Sequence, residues 1–135
     1  MWGSWDTNSA VSYLDFGDRV DARYVGDKQK VDIDWKHGQW SMDFEGLDFN
    51  GTDVYSDTAS HAVINTASVW MMLPAPEFAA ISQVLAAQNF TCNATVCVSD
   101  QECSTFDSEF GKLVINMDDD AVLTLTSAGY LMQHY

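Results

Sequence analysis

Basic residues are scarce in this chain. Lys and Arg together number 6 against 20 Asp and Glu, a formal net charge of −14, with an isoelectric point near 4.1. A field of that sign repels phosphate backbones and anionic membrane surfaces, and no basic stripe opposes it, so nucleic acid is excluded as a partner class. Excess carboxylate keeps a protein soluble, and it also suits work at low pH, where protonation relieves self-repulsion. Long apolar runs are missing too: no window of eighteen apolar residues occurs, so no membrane-spanning helix is expected. Met1-Trp2-Gly3-Ser4-Trp5 lacks the basic region and apolar core of a signal peptide. The common catalytic signatures are absent as well: there is no Gly-x-Ser-x-Gly, no Gly-rich phosphate loop, and His37, His61 and His134 are scattered. No cofactor is implied.

Cysteine is sparse and odd in number. Cys92, Cys97 and Cys103 lie close together in a polar stretch, where loop-closing disulfides are common in oxidising compartments. A zinc site is the other use of such a cluster, but there is no Cys-x-x-Cys and no His nearby in sequence, so a disulfide is the reading and no metal is assigned. Asn50-Gly51-Thr52, Asn89-Phe90-Thr91 and Asn93-Ala94-Thr95 are three N-glycosylation acceptors, which favours a secreted, extracellular chain, or a lumenal or vacuolar one, carrying N-linked glycans.

What is present is enough to fold. At 135 residues and 47% hydrophobic, the chain is one domain's worth of material with a core to bury, residues 1–135 as a single unit. Residues 11–16 alternate apolar and polar and meet Gly17, which predicts a strand. Residues 29–35 alternate more cleanly, with Val31, Ile33 and Trp35 on one face and Asp32 and Asp34 on the solvated one. A turn at His37-Gly38 leads to an inward face of Trp40, Met42 and Phe44. Leu47 and Phe49 before Asn50-Gly51 repeat strand and hairpin turn. Trp35 and Trp40 are expected in the core or as cross-strand neighbours; a sugar-stacking or ligand role is the alternative.

One helix is predicted from Pro74 to about Gln88. Proline stands in its first turn, Glu77 suits the positive end of its dipole, and Phe78, Ile81 and Leu85 recur at helical spacing. Residues 112–117 and 121–126 then predict a hairpin across Asp118-Asp119-Asp120, whose spacing is not that of a calcium loop. Residues 130–133 begin a last apolar strand. The fold class is all-β with one helix.

The stretch 60–74, SHAVINTASVWMMLP, reads as a buried strand, a small polar turn at Asn65-Thr66-Ala67-Ser68 and a second buried strand. Polar groups in such a place must find partners, since an unpaired buried amide or hydroxyl costs about 1–3 kcal/mol. The bland interpretation is a core hairpin; the sharp one is an active-site loop. His61 reads as a strand-end residue.

This order of apolar residues, polar triplet, Ser, apolar residues and Pro resembles the C-terminal lobe of a pepsin-like aspartic protease. There the triplet is the catalytic Asp-Thr-Gly; here it is Asn65-Thr66-Ala67. The likeness continues in family order through Met1-Trp2-Gly3, Ser12-Tyr13-Leu14-Asp15-Phe16-Gly17-Asp18 (the family's strand ending Phe-Gly-Gly), Tyr24-Val25-Gly26-Asp27 (its Tyr-Thr-Gly turn) and Gln39-Trp40-Ser41-Met42 with the residues to Leu47 (its Trp-Gln-Ile strand). It ends in Leu123-Thr124-Leu125-Thr126 with Tyr130-Leu131-Met132-Gln133 (its Leu-Thr and Tyr-Leu-Leu-Gln). The resemblance implies a pepsin-like lobe that is incomplete at its C-terminal end. A neighbouring subunit, or an N-terminal lobe of the same protein, would then fill the gap. It also implies a disulfide joining Cys103 to Cys92 or Cys97.

For activity the resemblance cuts the other way. The family hydrolyses peptides with two carboxylates, one from each lobe, that share a proton and activate a water. Asn65 can neither take up that proton nor titrate, and Ala67 adds a methyl where the backbone must turn tightly. No intact catalytic group remains. The implied role is a non-catalytic structural or binding module of a secreted glycoprotein or extracellular assembly; the alternatives are one half of an acid endopeptidase and a peptide-binding pseudoprotease.

Overall fold

The computed structural model describes residues 29–68, 70–106, 110–118 and 120–131. The strand predicted at 11–16, the motif stretches at 1–3, 12–18 and 24–27, and the end of the last one at 132–133 lie outside them.

The centre of the fold is β1 (Ser41–Phe49), and all its pairings are antiparallel. At its far end it turns through Asn50-Gly51, both left-handed with φ of 52° and 77°, into β2 (Thr52–Asp53). Two successive positive φ values make a tight hairpin turn, and Asn-Gly is the pair that adopts them most readily. At its near end β1 pairs with β3 (His61–Val63). Its other edge takes β6 (Leu113–Met117), which forms a hairpin with β7 (Val122–Leu125). The predicted hairpin over 112–126 is thus present, with Asp120 in left-handed backbone at its tip.

Residues 41–49 are one strand, not two, because a bulge stands between Phe44 and Gly46. Over 42–45 the less exposed positions are Met42 and Phe44, even numbers; after the bulge the buried ones are Leu47 and Phe49, odd numbers. An extra residue in a two-residue repeat shifts the inward parity. Gly46 belongs there, since a Cβ on it would stand 3.1 Å from the Asn116 amide nitrogen.

The helix α1 (Ala75–Ala86) lies where the 3.6-residue spacing put it. Ile81 and Leu85 are buried with Leu47, Phe49, Val54, Phe90 and Leu113, and Phe44, Tyr55 and Tyr130 pack against that core. The helix ends in a turn at 87–89, where Asn89 is left-handed with φ of 65°, as a residue just beyond a helix end commonly is. Phe90, Phe106 and Phe110 form an aromatic cluster with ring centroids 4.7–5.9 Å apart.

Several expectations are corrected. Residues 29–34 form no strand, and Trp35–His37 is a turn of 3-10 helix. Asp34 is not a free surface residue, since its carboxylate accepts a hydrogen bond from the Lys36 amide at 2.9 Å. Trp35 and Trp40 are 80% and 70% exposed rather than in the core. Tyr130 ends a short helix, α2 (Ser127–Tyr130), instead of opening a strand. The disulfide joins Cys92 to Cys97 and leaves Cys103 out. The reason is local: Cys92 and Cys97 are register partners in the small hairpin of β4 (Thr91–Cys92) and β5 (Cys97–Val98).

Candidate functional site

The 65–68 turn sits directly after β3. Ile64 is held by its amide bonding to the Trp40 carbonyl at 3.0 Å, so the chain leaves the sheet at the near end of β1. Asn65 then folds back on its own turn, its side-chain oxygen accepting a bond from the Ala67 amide at 3.0 Å. Ser68 repeats the device two residues on: its hydroxyl accepts from the Trp70 amide at 3.1 Å and donates to the Trp70 carbonyl at 2.9 Å. The polar groups are satisfied locally, as a loop of Asn, Thr and Ser allows.

The loop is not buried. Asn65, Thr66 and Ala67 are exposed and Ser68 is half-buried. The flanking apolar residues are open as well: Ile64, Trp70, Met71 and Met72 are all exposed, Met72 to 75%. Two buried strands were expected here. Among the described residues only His61–Val63 is a strand, and it pairs with β1 alone. A continuous apolar run signals two covered faces, but among the described residues of the second run only Leu73 packs against the core. Trp40 lies beside Ile64 through the backbone bond above, so the apolar surface extends onto the start of β1.

Chemically, the loop offers an amide and hydroxyls, which can donate and accept hydrogen bonds but cannot carry a proton through a reaction near neutral or acid pH. No carboxylate stands at Asn65, and its acceptor oxygen is already engaged by the Ala67 amide. The three sequon asparagines are placed apart, on three turns. Asn50 and Asn89 are exposed in left-handed backbone. Asn93 is exposed at the β4–β5 turn, its side-chain oxygen accepting from the Thr95 amide at 2.8 Å and the Val96 amide at 2.9 Å.

One buried polar group escaped the sequence reading. Glu77, read from the sequence only as an acid suited to the helix dipole, is completely buried. Its carboxylate accepts bonds from the Ser56 hydroxyl at 2.5 Å, the Thr58 hydroxyl at 3.2 Å and the Ser56 amide at 3.3 Å. Burial pushes its pKa up, but the bonds from Ser56, its own backbone and Thr58 outweigh burial and hold it below the ordinary value. The only signal in the sequence was a Ser-x-Thr pair far from the acid it serves.

No helix among the described residues is long and apolar enough to cross a membrane. No curated protein and no solved structure matches the chain. The family model for eukaryotic aspartyl protease matches residues 3–135, nearly all of the sequence. That match spans both the all-β sheet with its one main helix and the Asn65-Thr66-Ala67 turn, and the chain therefore belongs to the eukaryotic aspartyl protease family.

Proposed function

We propose that this chain is a non-catalytic member of that family, serving as a structural or binding module of a secreted glycoprotein or extracellular assembly. What carries the reading is Asn65: where the resemblance to the family would put the catalytic carboxylate stands an amide, whose oxygen accepts a hydrogen bond from the Ala67 amide of its own turn. Acid hydrolysis of a peptide needs a group that takes a proton from water and a partner that gives one. The amide does neither.

Binding is supported by the surface around the loop. Trp40, Ile64, Trp70, Met71 and Met72 leave large apolar side chains open beside it, and aromatic and methionine side chains are the types enriched in the centres of protein interfaces. The partner that fits is a protein surface, either another lobe of the same protein or a neighbouring subunit. Secretion is supported by the Cys92–Cys97 disulfide and by the exposure of Asn50, Asn89 and Asn93, the geometry that N-linked glycans require.

The test uses the native material. Its mass is measured before and after enzymatic removal of N-linked glycans, its size is measured in solution, and it is assayed on an internally quenched peptide at acid pH. The expected result is a glycosylated chain in a larger complex without turnover. Hydrolysis that a transition-state-mimicking peptide inhibitor blocks would overturn it in favour of an acid endopeptidase. Saturable peptide binding without turnover would point instead to a peptide-binding pseudoprotease.

A further inference from the structure

We propose that Asp34, Asp43 and His61 form a binding site for a divalent metal ion of the zinc class. Each offers one ligand atom, and the three atoms lie within 4.8 Å of one another. Asp43 and His61 are register partners across β1 and β3, with Nδ1 of the imidazole 3.1 Å from Oδ1 of the carboxylate. Asp34 joins them from a different segment, its amide bonding to the Ser41 carbonyl at 2.8 Å, which sets the turn at 34 beside the start of β1.

Spacing and charge both favour an ion. Ligands about 2.0–2.2 Å from a tetrahedral centre stand about 3.3–3.6 Å apart, so the Asp43–His61 pair is already near that separation. An ordinary salt bridge needs one carboxylate. Here a second, that of Asp34, has an oxygen within 4.8 Å of both ligand atoms of the pair, so one divalent cation can engage all three. Asp118, just past the end of β6, is a further acidic neighbour in the backbone, its amide bonding to the Asp43 carbonyl at 3.3 Å, within a chain of net charge −14.

The donor set selects the class. Calcium and magnesium take oxygen ligands almost entirely, whereas an imidazole with two carboxylates suits zinc and its neighbours. Three protein ligands leave a fourth position for water. Bound there, the ion would tie the turn at 34, β1 and β3 together, and β3 leads directly into the Asn65 turn.

The site is tested on the full chain after treatment with a chelator. Calorimetric titration with zinc chloride should show one ion per chain, and cobalt should give the visible absorption of a tetrahedral site. His61→Ala and Asp43→Asn should each weaken zinc binding at least tenfold, while His37→Ala should not. Imidazole NMR of the unsubstituted chain keeps the test independent of whether the variants fold: the His61 ring signals should shift in proportion to zinc added. Absence of saturable binding up to millimolar zinc, His61 signals unmoved at saturation, unchanged affinity in a folded His61→Ala chain, or calcium binding tighter than zinc would each overturn the proposal.

Discussion

Glu77, in the first turn of α1, is bound to Ser56 twice, through the hydroxyl at 2.5 Å and the backbone amide at 3.3 Å. The pair fastens the loop after β2 to the start of the helix that covers the sheet. Thr58 joins them, its hydroxyl 2.8 Å from that of Ser56 and 3.2 Å from the carboxylate. Pro74, at the helix N-cap, makes no side-chain cap bond, so Glu77 supplies the side-chain hydrogen bonds that tie this helix start to the loop at 56–58. Glu77→Gln or the double change Ser56→Ala, Thr58→Ala should each destabilise the fold by about 1–3 kcal/mol, because a buried polar group is left short of partners. Urea unfolding followed by circular dichroism reads the loss.

The same carboxylate sets a pH dependence. Its pKa in the folded chain is lowered from the ordinary 4.5, so it contributes stability that is present above the unfolded value and lost as pH falls through the folded one. The wild-type chain should therefore lose stability on acidification below about pH 4.5, and Glu77→Gln should lose less over the same interval. Thermal midpoints measured at pH 6 and at pH 3.5 make the comparison. Equal losses in the two proteins would remove Glu77 as a source of acid sensitivity.

The sequence made the helix and the hairpins legible because their signals are local. Phe78, Ile81 and Leu85 carry their own period, and Asn50-Gly51 carries its own turn geometry. What it concealed was tertiary. The bulge at Phe44–Gly46 turns one strand into two apparent ones by shifting parity. The apolar run around Asn65 looks buried because composition reports what a segment can cover, not what covers it. Asp34 and His61 lie far apart in sequence and converge through the β1–β3 pairing together with the backbone bond from Asp34 to Ser41. The degenerate triplet could be read only through the family likeness, since Asn-Thr-Ala has no chemical signature of its own.

Gly111 is a second point where one side chain decides the fit. Its φ is 56°, and an added Cβ would meet the Tyr130 hydroxyl and come within 3.0 Å of the Phe49 ring. Gly111→Ala should cost about 2–4 kcal/mol, from left-handed backbone and overpacking together. Tyr130 donates its hydroxyl to the Gly111 carbonyl, and Tyr130→Phe should cost about 0.5–1.5 kcal/mol. Burial also pushes the Tyr130 pKa up to about 12. Stability from the neutral phenol is then full below pH 10 and lost as pH rises toward 12. Ultraviolet titration should show a tyrosine ionising late, at about pH 12, whose contribution disappears in Tyr130→Phe.

The Cys92–Cys97 bridge closes a short loop, with a sequence separation of 5. Loop-closure entropy for so few residues predicts about 2 kcal/mol, so Cys92→Ser should lower the thermal midpoint by several degrees without abolishing the fold. Peptide mapping without reduction should recover Cys92 linked to Cys97. Recovery of Cys103 linked to either of them would contradict the hairpin register that sets the pair opposite each other.

Restoring the family motif tests what the turn lacks. Asn65→Asp with Ala67→Gly rebuilds the Asp-Thr-Gly triplet at an exposed loop, where the new carboxylate is well solvated. A shared proton needs two carboxyl groups in contact, since the repulsion between them is what keeps one protonated while the other is ionised. The double variant of the isolated chain should therefore remain without measurable turnover of a quenched peptide between pH 2 and 5, as should the unchanged chain. Activity appearing in the variant alone would mean that a second carboxylate already reaches the loop, and that the changes at Asn65 and Ala67 are what silence this domain.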